Sequence, residues 1–345
     1  MKLKLVLENG MEFYGEGEGT EKIGKVVFNT SMVGYQQIVY DKANFDDIVV
    51  MTYTLIGNYG INDEDYEADN VQIKGMIAKE FNDKPSNFRS NKSIIDLFKE
   101  KNVTYMYDLD TRMLSKSIRD NGEMLGIITN ATADKKECLD KLKSYKKPEA
   151  DLLIDKYEIK NKIAKKKIAC IDLGARRSIF DVLSNYYDVT VFPYTVKAEQ
   201  LVKYDGIFLA GGPKIIAVDL VKSLIGKKPI FATGIGLNVL VEACGGINEA
   251  MKFGHRGGNH TIKYVKTNKN FVISQNHFYK VKDIANTNLE VLSKNLLDDT
   301  IEGLINENKL LLGIQYNLDN EANPEDFSNL LDMFDNLMNG GKKNA

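Results

Sequence analysis

Two glycine-rich segments hold the strongest candidates for chemistry: Phe208-Leu209-Ala210-Gly211-Gly212-Pro213-Lys214 and Thr233-Gly234-Ile235-Gly236-Leu237. Each ends an apolar run, and the second leads straight into a helical pattern. A sharp strand-to-helix turn needs small neighbours so that one side chain can stand at its apex, as in a nucleophile elbow. The same composition also serves plain packing or contact with a phosphate. Spacing alone leaves the three readings open. The histidines are His255, His260 and His277, and the cysteines are Cys138, Cys170 and Cys244. The cysteines are far apart and lack metal-ligand spacing. Cys170 lies in the apolar run Ile168-Ala169-Cys170-Ile171 and reads as a buried, inert thiol. Cys244 falls about three turns into the helix after the turn, too far from its start to act there. Thr233 neighbours the apex, but a one-residue shift points its side chain elsewhere. No metal and no cofactor are expected.

The elements that must position these segments follow from hydrophobic periodicity. Apolar runs at 168–171, 189–192, 207–210 and 229–233 read as strands. Ile179, Val182, Leu183 and Tyr186 fall at the i, i+3, i+4, i+7 positions of a helix. The run 237–244 is helical and stops at Gly245-Gly246. Asn323 caps and Pro324 opens a last helix, with Phe327, Leu330, Leu331, Phe334 and Leu337 on its apolar face. This alternation implies a mostly parallel sheet covered on both faces, with ligands at the carboxyl ends of its strands.

The first part of the chain reads differently. Leu3, Leu5 and Leu7 recur at every second position before Asn9-Gly10, which predicts a hairpin with positive φ at both turn centres. Strand-like runs recur at 26–28 and 48–51, and 111–120 reads as a helix ended by Asn121-Gly122. The lysine-rich stretch 144–166, broken by Pro148, reads as a linker. The expected fold class is α/β, with a mixed β-rich N-terminal domain over 1–143 and a parallel-sheet domain over 167–345.

Composition sets the outer limits. A chain of 345 residues favours two domains. With 46 basic and 48 acidic residues, no charge excess points to nucleic acid or a membrane surface. No stretch approaches the roughly 20 apolar residues of a membrane helix. Residues 1–10 lack the basic head and continuous apolar run of a secretion signal. A cytoplasmic protein with reduced thiols is expected.

The second glycine turn carries a specific resemblance. Ala232-Thr233-Gly234-Ile235-Gly236-Leu237-Asn238 follows Pro229-Ile230-Phe231. It resembles the elbow Gly-Ile-Cys-Leu-Gly-His-Gln that follows a Pro-Val-Phe strand in class I glutamine amidotransferases. Gly234 stands where that family has its nucleophilic cysteine. Other segments resemble the small subunit of carbamoyl-phosphate synthetase. They include Val26-Val27-Phe28-Asn29-Thr30-Ser31-Met32, Gly34-Tyr35-Gln36, Gly57-Asn58, Ser86-Asn87-Phe88-Arg89 and Asp110-Thr111-Arg112. The second half adds Asp172 with Gly174-Ala175, Asp205-Gly206-Ile207-Phe208-Leu209, Lys252-Phe253-Gly254-His255, Gly257-Gly258-Asn259-His260 and Gln275-Asn276-His277. The resemblance spans nearly the whole chain. It implies a class I glutamine amidotransferase-like domain at 167–345. It also implies, as partner, a large ATP-dependent synthetase subunit, with no nucleic acid and no membrane.

The departures from that family are concentrated at its glutaminase site. Its Gln-Gly-His-Pro-Glu segment reads Gln315-Tyr316-Asn317-Leu318-Asp319, so Asn317 stands for the general base and Asp319 for the orienting glutamate. Its Gly-Pro-Gly-Asp-Pro loop reads Gly212-Pro213-Lys214-Ile215-Ile216. Ala43 replaces a serine, Asn238 a glutamine and Phe278 a glycine. The resemblance thus places a vestigial glutamine pocket at Ala43, Gly212, Lys214, Ile235, Asn238, Asn276, Phe278 and Tyr279. Glycine offers no nucleophile. An asparagine amide does not titrate near neutral pH and cannot shuttle a proton. A lysine in the loop adds bulk where backbone N–H groups should meet an oxyanion. Lys214 could bind an anion there or simply be solvated. His255 and His260 are expected to make structural hydrogen bonds. Arg89 and Arg112 read equally as ion-pair partners or as docking residues.

Overall fold

A computed structural model describes residues 1–318 and 323–340. The chain divides into two units. The first comprises Met1–Ala150 with Lys252–Arg256, and the second takes the remaining described residues.

In the first unit, seven strands close into a barrel: Lys2–Leu7, Glu12–Glu18, Lys22–Asn29, Asp47–Met51, Gly75–Ile77, Thr104–Tyr107 and Met124–Asn130. Closure leaves no unpaired edge. Side chains alternate along each strand. Leu3, Leu5, Leu7, Ile48, Val50 and Met106 gather in one cluster inside the barrel. The intervening Val27, Val49, Met51 and Met76 pack instead with Tyr35, Val39, Leu97 and Phe98 of the helices Tyr35–Tyr40 and Ile94–Glu100. The helix Thr111–Asn121 starts where Asp110 accepts from Met113 N–H at 2.8 Å and stops at Gly122, whose φ is 99°.

The first hairpin differs from expectation at its turn. Gly10 alone has positive φ, 84°, and Asn9 does not. Gly10 N–H donates to Leu7 C=O at 2.8 Å, and Leu7 N–H to Met11 C=O at 2.9 Å. This is a three-residue loop with a left-handed glycine closing it, not a two-residue turn.

The segment Lys252–Arg256 is built into the first unit. Glu123 N–H donates to Lys252 C=O at 2.9 Å, and Thr30 N–H to Arg256 C=O at 3.0 Å. The buried Glu123 carboxylate accepts from Gly254 N–H at 2.7 Å and pairs with the Arg256 guanidinium and with Lys25 Nζ at 2.7 Å. Burial pushes this carboxyl up, but Arg256 and Lys25 outweigh it and hold it below the ordinary glutamate range.

The second unit is built on a ten-stranded sheet. Its parallel part runs in the order Asp188–Pro193, Lys167–Asp172, Gly206–Ala210, Ile230–Thr233 and Leu311–Ile314. Both faces are covered. Phe208, Phe231 and Leu312 pack with Phe327, Leu330 and Phe334 of the helix Pro324–Met338. Leu209, Ala232 and Leu311 pack on the other face with Val221, Leu237 and Leu240.

Three expectations need correction here. The sheet is parallel over only half its width, because Ile301–Asn306, Asn270–Asp283, Ile247–Tyr264 and Glu290–Asn295 extend it with antiparallel pairings. The strand Ile247–Tyr264 shows mixed burial without strict alternation, while Asn270–Asp283 alternates over 270–278 but buries the polar Gln275 and His277 beside Phe271 and Ile273, so hydrophobic periodicity did not mark either. The stretch expected as linker contains a strand, Tyr157–Ile159, paired antiparallel with Asp188–Pro193. The helix Arg177–Ser184 buries Phe180 and Leu183, and it ends before Tyr186, which is exposed. No helix among the described residues is long and apolar enough to cross a membrane.

Candidate functional site

The parallel strands end in register. Asp172 lies beside Ala210, Leu209 beside Ala232, and Thr233 beside Ile314. Their carboxyl ends therefore share one edge of the sheet, where an open α/β sheet carries its ligands. Gly211, Gly234 and Gln315 each follow directly from these ends.

Gly234 forms the apex between the strand Ile230–Thr233 and the helix Ile235–Ala243, with φ 55° and ψ −128°. Only glycine adopts that conformation without appreciable strain. The turn fixes the apex, and the missing side chain leaves room above it. Among the described residues, a Cβ at Gly234 would meet only the Gly211 Cα, at 3.5 Å. The helix that follows has no side-chain cap and no acid in its first turn. Ile235 and Gly236 are buried, and a Cβ on Gly236 would stand 2.7 Å from the Leu209 carbonyl oxygen.

The loop after Ala210 is held against the neighbouring strand end. A Cβ on Gly212 would lie 1.9 Å from the Leu173 carbonyl oxygen, so only glycine fits. Asp172 accepts from Gly174 and Ala175 N–H, both at 2.7 Å, and so shapes the turn against which Gly212 rests. Lys214 is half-buried further along this loop.

Beside the apex lies a chain of amides. Gln315 Nε2 donates to Gly234 C=O at 3.0 Å and to Asn238 Oδ1 at 2.9 Å. Asn238 Nδ2 donates to Asn248 Oδ1 at 2.9 Å, and Asn248 Nδ2 donates back to Asn238 C=O at 2.8 Å. Gln315 and Asn238 are fully buried.

Asn317 is half-buried. Its backbone N–H donates to Ser274 C=O at 2.9 Å, and its side-chain Nδ2 to Ser274 Oγ at 3.2 Å. Tyr316, the residue before it, is buried and donates to Asp326 Oδ2 at 2.9 Å, while Tyr264 donates to Asp326 Oδ1 at 2.6 Å. Burial raises the Asp326 carboxyl above the ordinary range despite both phenols. These two bonds anchor the start of the helix Pro324–Met338 beside the strand end that carries Asn317. Asp319 lies outside the described residues.

Gly234, Ile235, Asn238 and Gly212 thus share the strand-end edge, and the register brings Asn317 to it. Asn276, Phe278 and Tyr279 follow one another along the strand Asn270–Asp283, two to five residues beyond Ser274. The Phe278 and Tyr279 rings meet edge-on at 5.7 Å, and Tyr279 C=O lies 2.9 Å from His277 Nδ1. Ala43 sits in the first unit, on the 3-10 turn Lys42–Asn44, where Asp41 accepts its N–H at 2.9 Å. Cys170 is buried and its thiol is pushed well above the ordinary value, and burial also raises Cys244, at the far end of the helix from Gly234. Sequence reasoning missed Ser274 and Asn248, which have no distinguishing neighbours, and it read Gln315 only as part of a motif. A cleft lined by Lys266, Asn288, Glu290, Asn306 and Lys309 opens at the other edge, where Asn306 lies beside Leu311.

A family model described as carbamoyl-phosphate synthase small chain, CPSase domain, matches residues 5–128, and one described as glutamine amidotransferase class-I matches residues 169–336. Over 346 residues the chain is 39% identical to the carbamoyl phosphate synthase pyrimidine-specific small chain of Bacillus subtilis, covering 97% of this chain and 95% of that one. It is 37% identical over 347 residues to the carbamoyl phosphate synthase small chain of Clostridium perfringens, covering 97% of this chain and 99% of that one. Among solved structures, a glutamine amidotransferase from Thermotoga maritima matches 51% of this chain and 94% of its own, at 14% identity and a TM-score of 0.35. Similarity to the two small chains runs through both units, and on that ground the chain belongs to the carbamoyl phosphate synthase small chain family.

Proposed function

We propose that this small chain does not hydrolyse glutamine and instead supports an ammonia-using large subunit. The observation that carries this reading is the occurrence of Gly234 at the apex of the strand-to-helix turn together with Asn317 three residues beyond the end of the adjoining strand Leu311–Ile314. A glutaminase needs a thiolate at the first position and a titrating base at the second. A glycine and an amide supply neither. Lys214, Phe278 and Ala43 extend the change to the positions that the family uses to hold glutamine. The family's glutamine-binding positions, here Ala43, Gly212, Lys214, Ile235, Asn238, Asn276, Phe278 and Tyr279, are then vestigial.

The partner is a large ATP-dependent subunit that joins ammonia, bicarbonate and ATP into carbamoyl phosphate for arginine or pyrimidine synthesis, in the cytoplasm. Residues 1–143 serve as the docking part and 167–345 as the decayed amidotransferase part. Phe88, which is 97% exposed, supports docking through the loop Ser86-Asn87-Phe88-Arg89. Arg89 itself pairs within the first unit, with Glu64 at 2.7 Å and Asp65 at 3.1 Å, and so acts by shaping that loop.

The test is co-purification with the candidate large subunit, followed by carbamoyl phosphate synthesis from glutamine and from ammonium. Synthesis from ammonium alone is expected. Synthesis from glutamine at a comparable rate would overturn the proposal in favour of an active glutaminase. Failure to bind any large subunit would favour a free regulatory protein.

A further inference from the structure

The amide chain beside Gly234 has a direction. Gly234 C=O can only accept, so Gln315 must turn its Nε2 towards it. The same nitrogen donates to Asn238, which fixes Asn238 with Oδ1 towards Gln315 and Nδ2 towards Asn248. Asn248 is fixed in turn, because its Nδ2 donates to Asn238 C=O and, at 3.1 Å, to Glu242 Oε1. A backbone acceptor at one end and a carboxylate at the other leave one consistent set of orientations. Reversing any one amide would face donor with donor or acceptor with acceptor.

We infer that Gln315, Asn238 and Asn248 are positioning residues that set the backbone of the Gly234 turn from within, in place of a bound ligand. Asn238 is fully buried, and both ends of its amide are engaged by neighbours. Gly234 C=O also accepts from Leu237 N–H at 3.0 Å, so the first turn of the helix and the amide chain share that acceptor. Asn248 hydrogen-bonds to neither Gly234 nor Gln315, yet it decides how Asn238 is oriented and therefore how Gln315 is held. The inference rests on the non-hydrolysing reading for its consequence: the turn keeps its shape whether or not glutamine is present.

The experiment uses the full chain and reads two signals at the turn, hydrogen exchange of Leu237 N–H and the amide resonances of Gly234 and Ile235. Asn248→Leu changes a half-buried residue and leaves Gln315 and Asn238 in place. It is expected to raise Leu237 exchange about five- to tenfold, as loss of about one net hydrogen bond would, and to shift the Gly234 resonance. Asn248→Gln, which keeps the amide, is expected to restore most of the protection. Gln315→Glu gives a second arm. Its carboxyl can donate to Gly234 C=O only when protonated, so the Gly234 resonance should titrate in this variant and not in the parent chain. A Gly234 resonance unmoved by both Asn248→Leu and Gln315→Glu would overturn the relay. A Gly234 resonance that moves when glutamine is added to the parent chain would overturn the inference that the amides act in place of a ligand, whereas ammonia released from glutamine by the parent chain with the resonance unmoved would overturn the non-hydrolysing reading and leave the relay standing.

Discussion

Asn317 holds Ser274 through two bonds, its backbone N–H at 2.9 Å and its side-chain Nδ2 at 3.2 Å. A side chain that donates to a hydroxyl in this way is placed as a tether between the segment after the strand Leu311–Ile314 and the strand Asn270–Asp283. It cannot take up a proton, so no repositioning turns it into a base.

The glutaminase rate follows. Typical enzymes turn over at about 10 per second. Loss of a hydrolase nucleophile or its base costs on the order of 10⁶ in rate, and loss of both costs little more. Turnover of glutamine is expected at about 10⁻⁵ per second or below in a labelled-glutamine assay on the purified chain. Gly234→Cys should fold, since among the described residues its Cβ meets only the Gly211 Cα at 3.5 Å. The backbone at φ 55° and ψ −128° should cost it about 1–3 kcal/mol, seen as a lower thermal midpoint. It should stay inactive, and Gly234→Cys with Asn317→His should recover little. Turnover near one per second in the parent chain would contradict all of this.

The two glycines of the neighbouring loop should separate sharply on substitution. Gly212→Ala drives a Cβ to 1.9 Å from the Leu173 carbonyl oxygen and should destabilise by about 3 kcal/mol or prevent folding. Gly211→Ala meets nothing closer than the Thr233 carbonyl oxygen at 3.4 Å and should change stability by less than about 1 kcal/mol. Urea unfolding of both variants decides the matter. Equal stability would mean that the loop is not pressed against Leu173.

Docking is tested at Phe88. Phe88→Asp should leave the thermal midpoint unchanged, because the side chain is exposed, and should weaken large-subunit capture at least tenfold. Unchanged capture would remove this loop from the interface.

Acid stability should depend on the first hairpin. Lys4, together with Tyr14 and Lys135, holds the Glu12 carboxyl at about 2, below its ordinary 4.5. A carboxyl whose pKa is depressed on folding stabilises the protein above its unfolded value and loses that contribution as pH falls. The contribution is therefore full above pH 4.5 and fades down to about pH 2. Glu12→Gln should flatten this limb of the stability curve while leaving the slope above pH 5 unchanged. Unfolding midpoints measured between pH 2 and pH 6 would show it.

Much of this was legible from residue order, and the illegible parts share a cause. Gly234 could be placed because a strand, a small-residue turn and a helix occur in immediate succession. The last helix could be read from Asn323, Pro324 and five apolar residues, all of which are buried as expected. Local patterns of this kind need no partner. The strands Ile247–Tyr264 and Asn270–Asp283 were not read, because their burial is set by neighbours distant in sequence. The tether at Ser274 and the bend of the amide chain through Asn248 were missed for the same reason. Nothing local distinguishes one serine or asparagine from another until the fold brings its partner close. The hairpin turn was misread at Asn9, since Asn-Gly suits either loop length and strand register decides between them.

The grip of Glu123 on Arg256 also constrains the order of biosynthesis. The barrel strands are complete at Asn130, but the carboxylate buried beside them then has only Lys25 to answer it. A buried carboxylate missing its main partner is strongly destabilising. At about 5–20 residues per second, residue 256 follows on the order of ten seconds later. The barrel of the nascent chain therefore waits, incompletely stabilised, until about half of the second half has been made. A stop codon shortly after residue 150 should leave a fragment prone to proteolysis rather than a smaller folded protein.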